Sequence, residues 1–188
     1  MWKIQLFKLN FNELETSAVS RVTAGGWLSM GEETMGFENR FSSFLGENVY
    51  CKAVSNGTAA LHIALLALDV GKGDEVIIPC LNFGTALSCI LQTGATPILV
   101  DVELNTLQID TKKIEKKITK KTKAIMPVHL SGIPSDLQKI KKICKKNKIH
   151  LIEDAAHAFG TKYKNKFIGT IGDVGIFSLH PRKSFHIL

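Results

Sequence analysis

Short runs of branched apolar residues recur along this chain, and helical patterns separate most of them. The runs are Val49–Val54, Glu75–Pro79, Pro97–Asp101, Ala124–Val128, Ile149–Glu153 and Val174–Leu179. Strands that alternate with helices need crossover connections, and crossovers build parallel sheets covered on both faces. The expected fold class is therefore α/β, a mostly parallel sheet with helices on both faces. Helices are expected at Ala59–Leu68, at Thr85–Gln92, around 112–120, and from about Ser135. The first of these is apolar nearly all round, which predicts burial. Ahead of the first run, Glu13–Val22 and Glu32–Leu45 read as amphipathic helices around Gly25-Gly26-Trp27. We expect an N-terminal helical segment, 1–45, followed by one large domain, 46–188.

Composition narrows the class. A length of 188 residues with 45% hydrophobic and 22% charged residues reads as a soluble globular chain with one sizeable core. Asp69, Pro79, Asn82, Gln92 and Pro97 interrupt the most apolar stretches, so no membrane span is expected. The first residues show no leader pattern. Cys51, Cys80, Cys89 and Cys144 are scattered, which fits reduced thiols in a cytoplasmic protein better than disulfides or a zinc site. A zinc reading on His157, His180 and His186 matches no compact ligand spacing. The net charge of +7 is uneven: 13 lysines lie between Lys112 and Lys148 against only Glu115 and Asp136. Those lysines leave Ile114 and Ile118 on one face, and Leu137, Ile140 and Ile143 on another. Two solvated helix faces explain the charge without nucleic acid, and no arginine or aromatic cluster accompanies it.

Several residues carry possible chemistry, each beside a plainer explanation. Ser55-Asn56-Gly57-Thr58 lies where a strand feeds a helix. Free N–H groups and the helix dipole make such a place an anion site, with Gly57 allowing close approach and Thr58 offering a hydroxyl. The same residues are equally good N-caps. Asp154 follows an apolar run at the carboxyl end of a parallel strand, the edge where ligands of open α/β sheets gather. A carboxylate there suits a protonated pyridine nitrogen, but it is also a cap for a short helix from Ala155, with Glu153 beside it a surface residue. His157 suits a ring oxygen or plain packing. Phe83, just past a strand end, suits stacking on a planar cofactor or a place in the core. Lys183 sits among Ile176, Phe177, Leu179 and Phe185, where partial burial favours the neutral amine that imine formation needs.

In order, these segments resemble one family. They are Gly26-Trp27-Leu28, Ser55-Asn56-Gly57-Thr58-Ala59-Ala60-Leu61-His62, Gly73-Asp74-Glu75-Val76-Ile77, Gly94-Ala95-Thr96-Pro97, Pro127-Val128-His129-Leu130-Ser131-Gly132, Glu153-Asp154-Ala155-Ala156-His157 and Phe177-Ser178-Leu179-His180-Pro181-Arg182-Lys183. Nearly the whole chain resembles the DegT/StrS family of pyridoxal phosphate (PLP) dependent sugar aminotransferases, with the aspartate aminotransferase fold. The resemblance implies that Gly57 and Thr58 hold the cofactor phosphate and that Phe83 stacks on the ring. It implies that Asp154 pairs with the ring nitrogen, that His157 lies near the ring hydroxyl, and that Ser178 contacts the phosphate or ring oxygen. Lys183 is then the lysine that carries the cofactor as an imine and shuttles protons. The implied substrates are L-glutamate and a nucleotide-linked keto-deoxysugar, and the implied assembly is a homodimer.

Family members are longer and continue past the lysine. The expectation is that 1–188 is the N-terminal portion of a longer enzyme, weak in PLP binding and turnover by itself. Two alternatives stand beside it. A truncated remnant could serve only as a binding partner of a full-length homologue. A related sugar dehydratase would carry histidine in place of the imine lysine, whereas this chain has Lys183.

Overall fold

A computed structural model describes residues 10–181 and Lys183. The expectations drawn on the first nine residues, on Arg182, and on 184–188 with Phe185 and His186, lie outside the described residues. The chain forms two compact units, one holding the described residues 10–53 with 180, 181 and 183, the other residues 54–179.

The first unit is helical. α1 (Glu13–Gly25) opens on a capping box, in which the Asn12 side chain accepts from the first turn and Glu15 reaches back to the Asn12 N–H. It ends at Gly26, whose φ of 73° is the left-handed conformation that closes helices. α2 (Glu32–Leu45) follows. The run Val49–Val54, expected as a strand, joins no sheet. Side chains of α2 take its backbone donors instead. The Ser42 hydroxyl accepts from Cys51 N–H at 3.0 Å, and the Glu38 carboxylate accepts from Ala53 N–H at 2.9 Å and from Lys52 Nζ at 2.7 Å. Glu38, 5% exposed, thus anchors an extended segment that needs no neighbouring strand.

The second unit is the expected α/β sheet. α3 (Gly57–Ala67) precedes β1 (Glu75–Pro79), α4 (Thr85–Gln92), β2 (Thr96–Val100), α5 (Thr111–Ile114), β3 (Thr122–Ile125), α6 (Leu137–Asn147) and β4 (His150–Asp154). A small antiparallel pair, β5 (Lys162–Tyr163) and β6 (Lys166–Phe167), and then β7 (Val174–Ile176) complete it. The main sheet is parallel, in the order β2-β1-β3-β4-β7. The chain therefore runs outward from β1 in one direction, then returns to the other side of it. Such a reversal opens a crevice at the carboxyl edge of the strands.

Side-chain alternation divides the core in two. Val76, Ile78, Ala124, Met126, Ile152 and Ile176 pack with α3 and α4. Ile77, Ile125 and Leu151 pack with Ile114 of α5 and Leu137, Ile140 and Ile143 of α6. The lysines between 112 and 121 and on α6 lie on exposed outer faces. The first lysine-bearing helix is shorter than expected: four α residues, a 3-10 turn at Glu115–Lys117, and an extended Ile118. Lysines four apart repel along that stretch, and Thr119 N–H is captured by Thr122 Oγ1 at 2.9 Å. α3 also departs from expectation. Leu61, Ala64 and Leu65 are buried, but Ile63 and Leu66 are each 51% exposed, because the sheet covers only one side of the helix.

Close backbone contact sets the spacing of the last strand. A Cβ on Gly175 of β7 would lie 2.0 Å from the Gly169 carbonyl oxygen. Gly175→Ala should therefore cost about 2 kcal/mol or more in urea unfolding, as overpacking against rigid backbone does. Gly36→Ala in α2, where a Cβ meets nothing within 4 Å, should instead stabilise by about 0.5–1 kcal/mol.

Candidate active site

The N-terminus of α3 is capped by Asn56, whose side chain accepts from Ala59 N–H at 2.9 Å while its carbonyl accepts from Ala60 N–H at 3.1 Å. This satisfies the plainer reading of the motif. It also leaves the N–H groups of Gly57 and Thr58 without a partner among the described residues, at the positive end of the helix. Ser178 faces them: a Cβ on Gly57 would stand 3.4 Å from Ser178 Cβ and 3.6 Å from its Oγ. Alternation explains the meeting. Ile176 packs on the α3 side of the sheet, so Ser178, two residues on, points to that side as well. Two open N–H donors and a hydroxyl form a cradle suited to a phosphate.

Asp154 ends β4 on the same side, in register with Ile152. It is 6% exposed. Its N–H donates to Pro127 O at 3.0 Å, its carbonyl accepts from His129 N–H at 3.0 Å, and its Oδ1 accepts from Ala156 N–H at 3.1 Å. No helix starts at Ala155; the segment is a turn closed by Ala158 N–H on Ala155 O at 2.9 Å. Cys89 of α4 lies between this carboxylate and the cradle, its Sγ 3.3 Å from Thr58 O. Burial first, and the Asp154 charge second, push its thiol pKa upward, so it stays a neutral thiol. A nearly buried carboxylate on this edge is suited to a cationic ring nitrogen.

His157 accepts from Ser131 N–H at its Nδ1, 3.2 Å away, which leaves the proton of the neutral ring on Nε2. Phe83, in the loop between β1 and α4, is 72% exposed, so it is a surface ring rather than a core one. Lys183 belongs to the other unit, where its N–H closes a turn on His180 O at 2.8 Å. The second unit thus brings Gly57, Thr58, Ser178 and Asp154 to one side of one sheet edge.

Glu153, open to reading as a surface residue, is wholly buried. Being one residue from Asp154, it points to the opposite side of the sheet. Its Oε1 accepts from Ile171 and Gly172 N–H at 2.7 and 2.6 Å, and its Oε2 from Gly169 N–H at 3.0 Å. His129 Nε2 stands 3.4 Å from Oε2. Burial works to raise the Glu153 pKa, but His129 and the Gly172 and Gly169 N–H groups outweigh it and hold it below the ordinary value. Only the spacing to Asp154 hinted at this role, since alternation on a strand buried on both faces buries both neighbours.

Residues 10–187 match the DegT/DnrJ/EryC1/StrS aminotransferase family. The chain belongs to this family. It is 43% identical over 182 residues to the GDP-perosamine synthase of Escherichia coli O157:H7, covering 96% of this chain and 50% of that protein. Among solved structures, Spr1654 of Streptococcus pneumoniae, assigned as a sugar aminotransferase and seen in its PLP form, is similar with a TM-score of 0.94 and 32% identity, over 98% of this chain and 51% of that one. The E. coli GDP-4-keto-6-deoxy-D-mannose-3-dehydratase with bound hydrated PLP is similar with a TM-score of 0.93 and 31% identity, over 99% and 49% of the two chains. The chain spans about half the length of these relatives.

The lowered Glu153 pKa predicts a pH dependence. Because the folded value lies below the unfolded one, its stabilisation is fully present above the ordinary value of 4.5 and is lost as pH falls through the folded value. Glu153→Gln should cost about 1–3 kcal/mol in urea unfolding at pH 7, and the gap from the parent should close as the series is carried into acid.

Proposed function

We propose that this chain is the N-terminal, cofactor-binding half of a PLP-dependent aminotransferase. The reaction moves an amino group from L-glutamate to the keto group of a nucleotide-linked deoxysugar. The observation that carries this reading is the meeting of Gly57, Thr58 and Ser178 on the same side of the sheet edge as Asp154, in a chain of this family. Relatives that bind PLP or make a nucleotide-linked aminosugar support it. When bound, PLP supplies an electron sink that eases loss of a proton from the adjoining carbon.

In this reading the N–H groups of Gly57 and Thr58 and the Ser178 hydroxyl bind the phosphate. Asp154 keeps the ring nitrogen protonated. His157, with its proton on Nε2, donates toward the ring oxygen, and Phe83 stacks on the ring face. Lys183 supplies the amine that holds the cofactor and then moves a proton between cofactor and substrate carbon as general acid and base. The four unpaired thiols fit action in a reducing cytoplasm. We further propose that the full-length protein is a homodimer whose product feeds polysaccharide or glycan assembly. A sugar dehydratase shares the fold, but Lys183 at the end of the Ser178 motif favours amino transfer.

PLP titrated into the purified chain should produce a visible absorbance band. Borohydride should then fix the cofactor on Lys183, as read by peptide mapping, and Lys183→Ala should carry no label. Glutamate should bleach the band, and 15N-labelled glutamate should leave its nitrogen on the cofactor. A folded chain with no band would overturn the claim that this half builds the cofactor site, and label on another lysine would overturn the role of Lys183.

A further inference from the structure

The segment 129–131 clasps the segment 154–157 at both ends. His129 N–H holds the Asp154 carbonyl, and Ser131 N–H holds His157 Nδ1. Ser131 lies in the left-handed region, with φ of 55°, where a residue with a Cβ is strained. Such a conformation persists only if its surroundings impose it. Those surroundings are a buried polar chain on the far side of the sheet from Asp154. His129 is wholly buried; its Nδ1 accepts from Ser135 N–H at 3.1 Å, and its Nε2, which makes no hydrogen bond among the described residues, stands 3.4 Å from Glu153 Oε2, within ion-pair reach. Ser135, also fully buried, donates its hydroxyl to Gln108 Oε1 at 3.3 Å, and Gln108 Nε2 donates to the Leu130 carbonyl of the turn at 3.3 Å. Glu153 closes the chain by accepting from the Gly169, Ile171 and Gly172 N–H groups just ahead of β7, the strand that leads to Ser178.

We propose that the buried His129–Glu153 pair, backed by Ser135 and Gln108, positions Asp154 and His157 for the cofactor ring. None of the four touches the cofactor; they act through the 130–132 turn and the 169–172 loop. This inference rests on the role given above to Asp154. An apolar residue in place of Glu153 would leave the Gly169, Ile171 and Gly172 N–H groups unpartnered, so the polar residues come as a set.

Hydrogen exchange in the PLP-free chain tests the positioning without the cofactor. In Glu153→Gln, the Ser131 and Ala156 amides should exchange roughly tenfold faster, while Ile77 and Ile98 in β1 and β2 stay unchanged. His129→Asn, which keeps an acceptor for Ser135 and removes only the group facing Glu153, should shift the same amides less and serves if Glu153→Gln does not fold. No change at Ser131 and Ala156, or an equal change at Ile77 and Ile98, overturns the proposal. A double-mutant cycle on PLP affinity completes the test: Glu153→Gln should weaken binding roughly tenfold in the parent and add nothing in an Asp154→Asn background. Equal losses in both backgrounds overturn action through Asp154. If Asp154→Asn leaves PLP affinity intact, the functional reading of Asp154 fails, while the exchange result still decides the positioning pair.

Discussion

The strict alternation of side chains along β4 is the constraint on which the rest of this structure depends. Leu151 and Glu153 point one way, toward α5 and α6, while Ile152 and Asp154 point the other, toward α3 and α4. Parallel strands of this kind are covered on both faces, so each direction ends in a buried place. Two adjacent carboxylates therefore meet different surroundings. Asp154 reaches the sheet edge beside the start of α3. Glu153 enters the core and is kept ionised by three backbone donors and an imidazole.

That division places the candidate site on one side of the sheet and a buried polar chain on the other. The α3 side supplies open N–H groups at a helix terminus, a hydroxyl from just past β7 and a carboxylate from the end of β4. Each arrives on a different element, and packing on the sheet brings them to one edge. The opposite side carries a buried polar chain whose members bond to backbone at the ends of the loops. Burying so many polar groups is tolerable only because nearly every one finds a partner. The outcome is a sheet edge whose loops are held from beneath.

Much of the fold was legible from periodicity. β1, β4, α2, α4 and α6 fall within a residue or two of the apolar patterns, because long-range packing there reinforces local preference. The departures arise where other interactions outweigh the apolar pattern. Val49–Val54 has the composition of a strand, yet Glu38 and Ser42 take its donors. The 112–120 stretch has helical spacing, yet charge repulsion and Thr122 end it early. β5 and β6 turn at Lys164 and Asn165, both with positive φ, a hairpin signal carried by one asparagine. In each case a contact distant in sequence or a local backbone choice overrode the pattern.

The candidate site divides in the same way. Sequence order alone determined the family resemblance and the parallel α/β class, and it singled out Gly57, Asp154, Ser178 and Lys183 as candidates, because motif identity and strand-end position are local properties of a chain. The tertiary structure decided that Ser178 meets Gly57 across 121 positions, that Phe83 is exposed, and that His157 accepts from the Ser131 backbone. It also decided that Glu153 is a buried hub and not a surface acid. A residue type states which bonds a side chain can make; only the packing of distant segments determines which partners reach it and whether water competes for them.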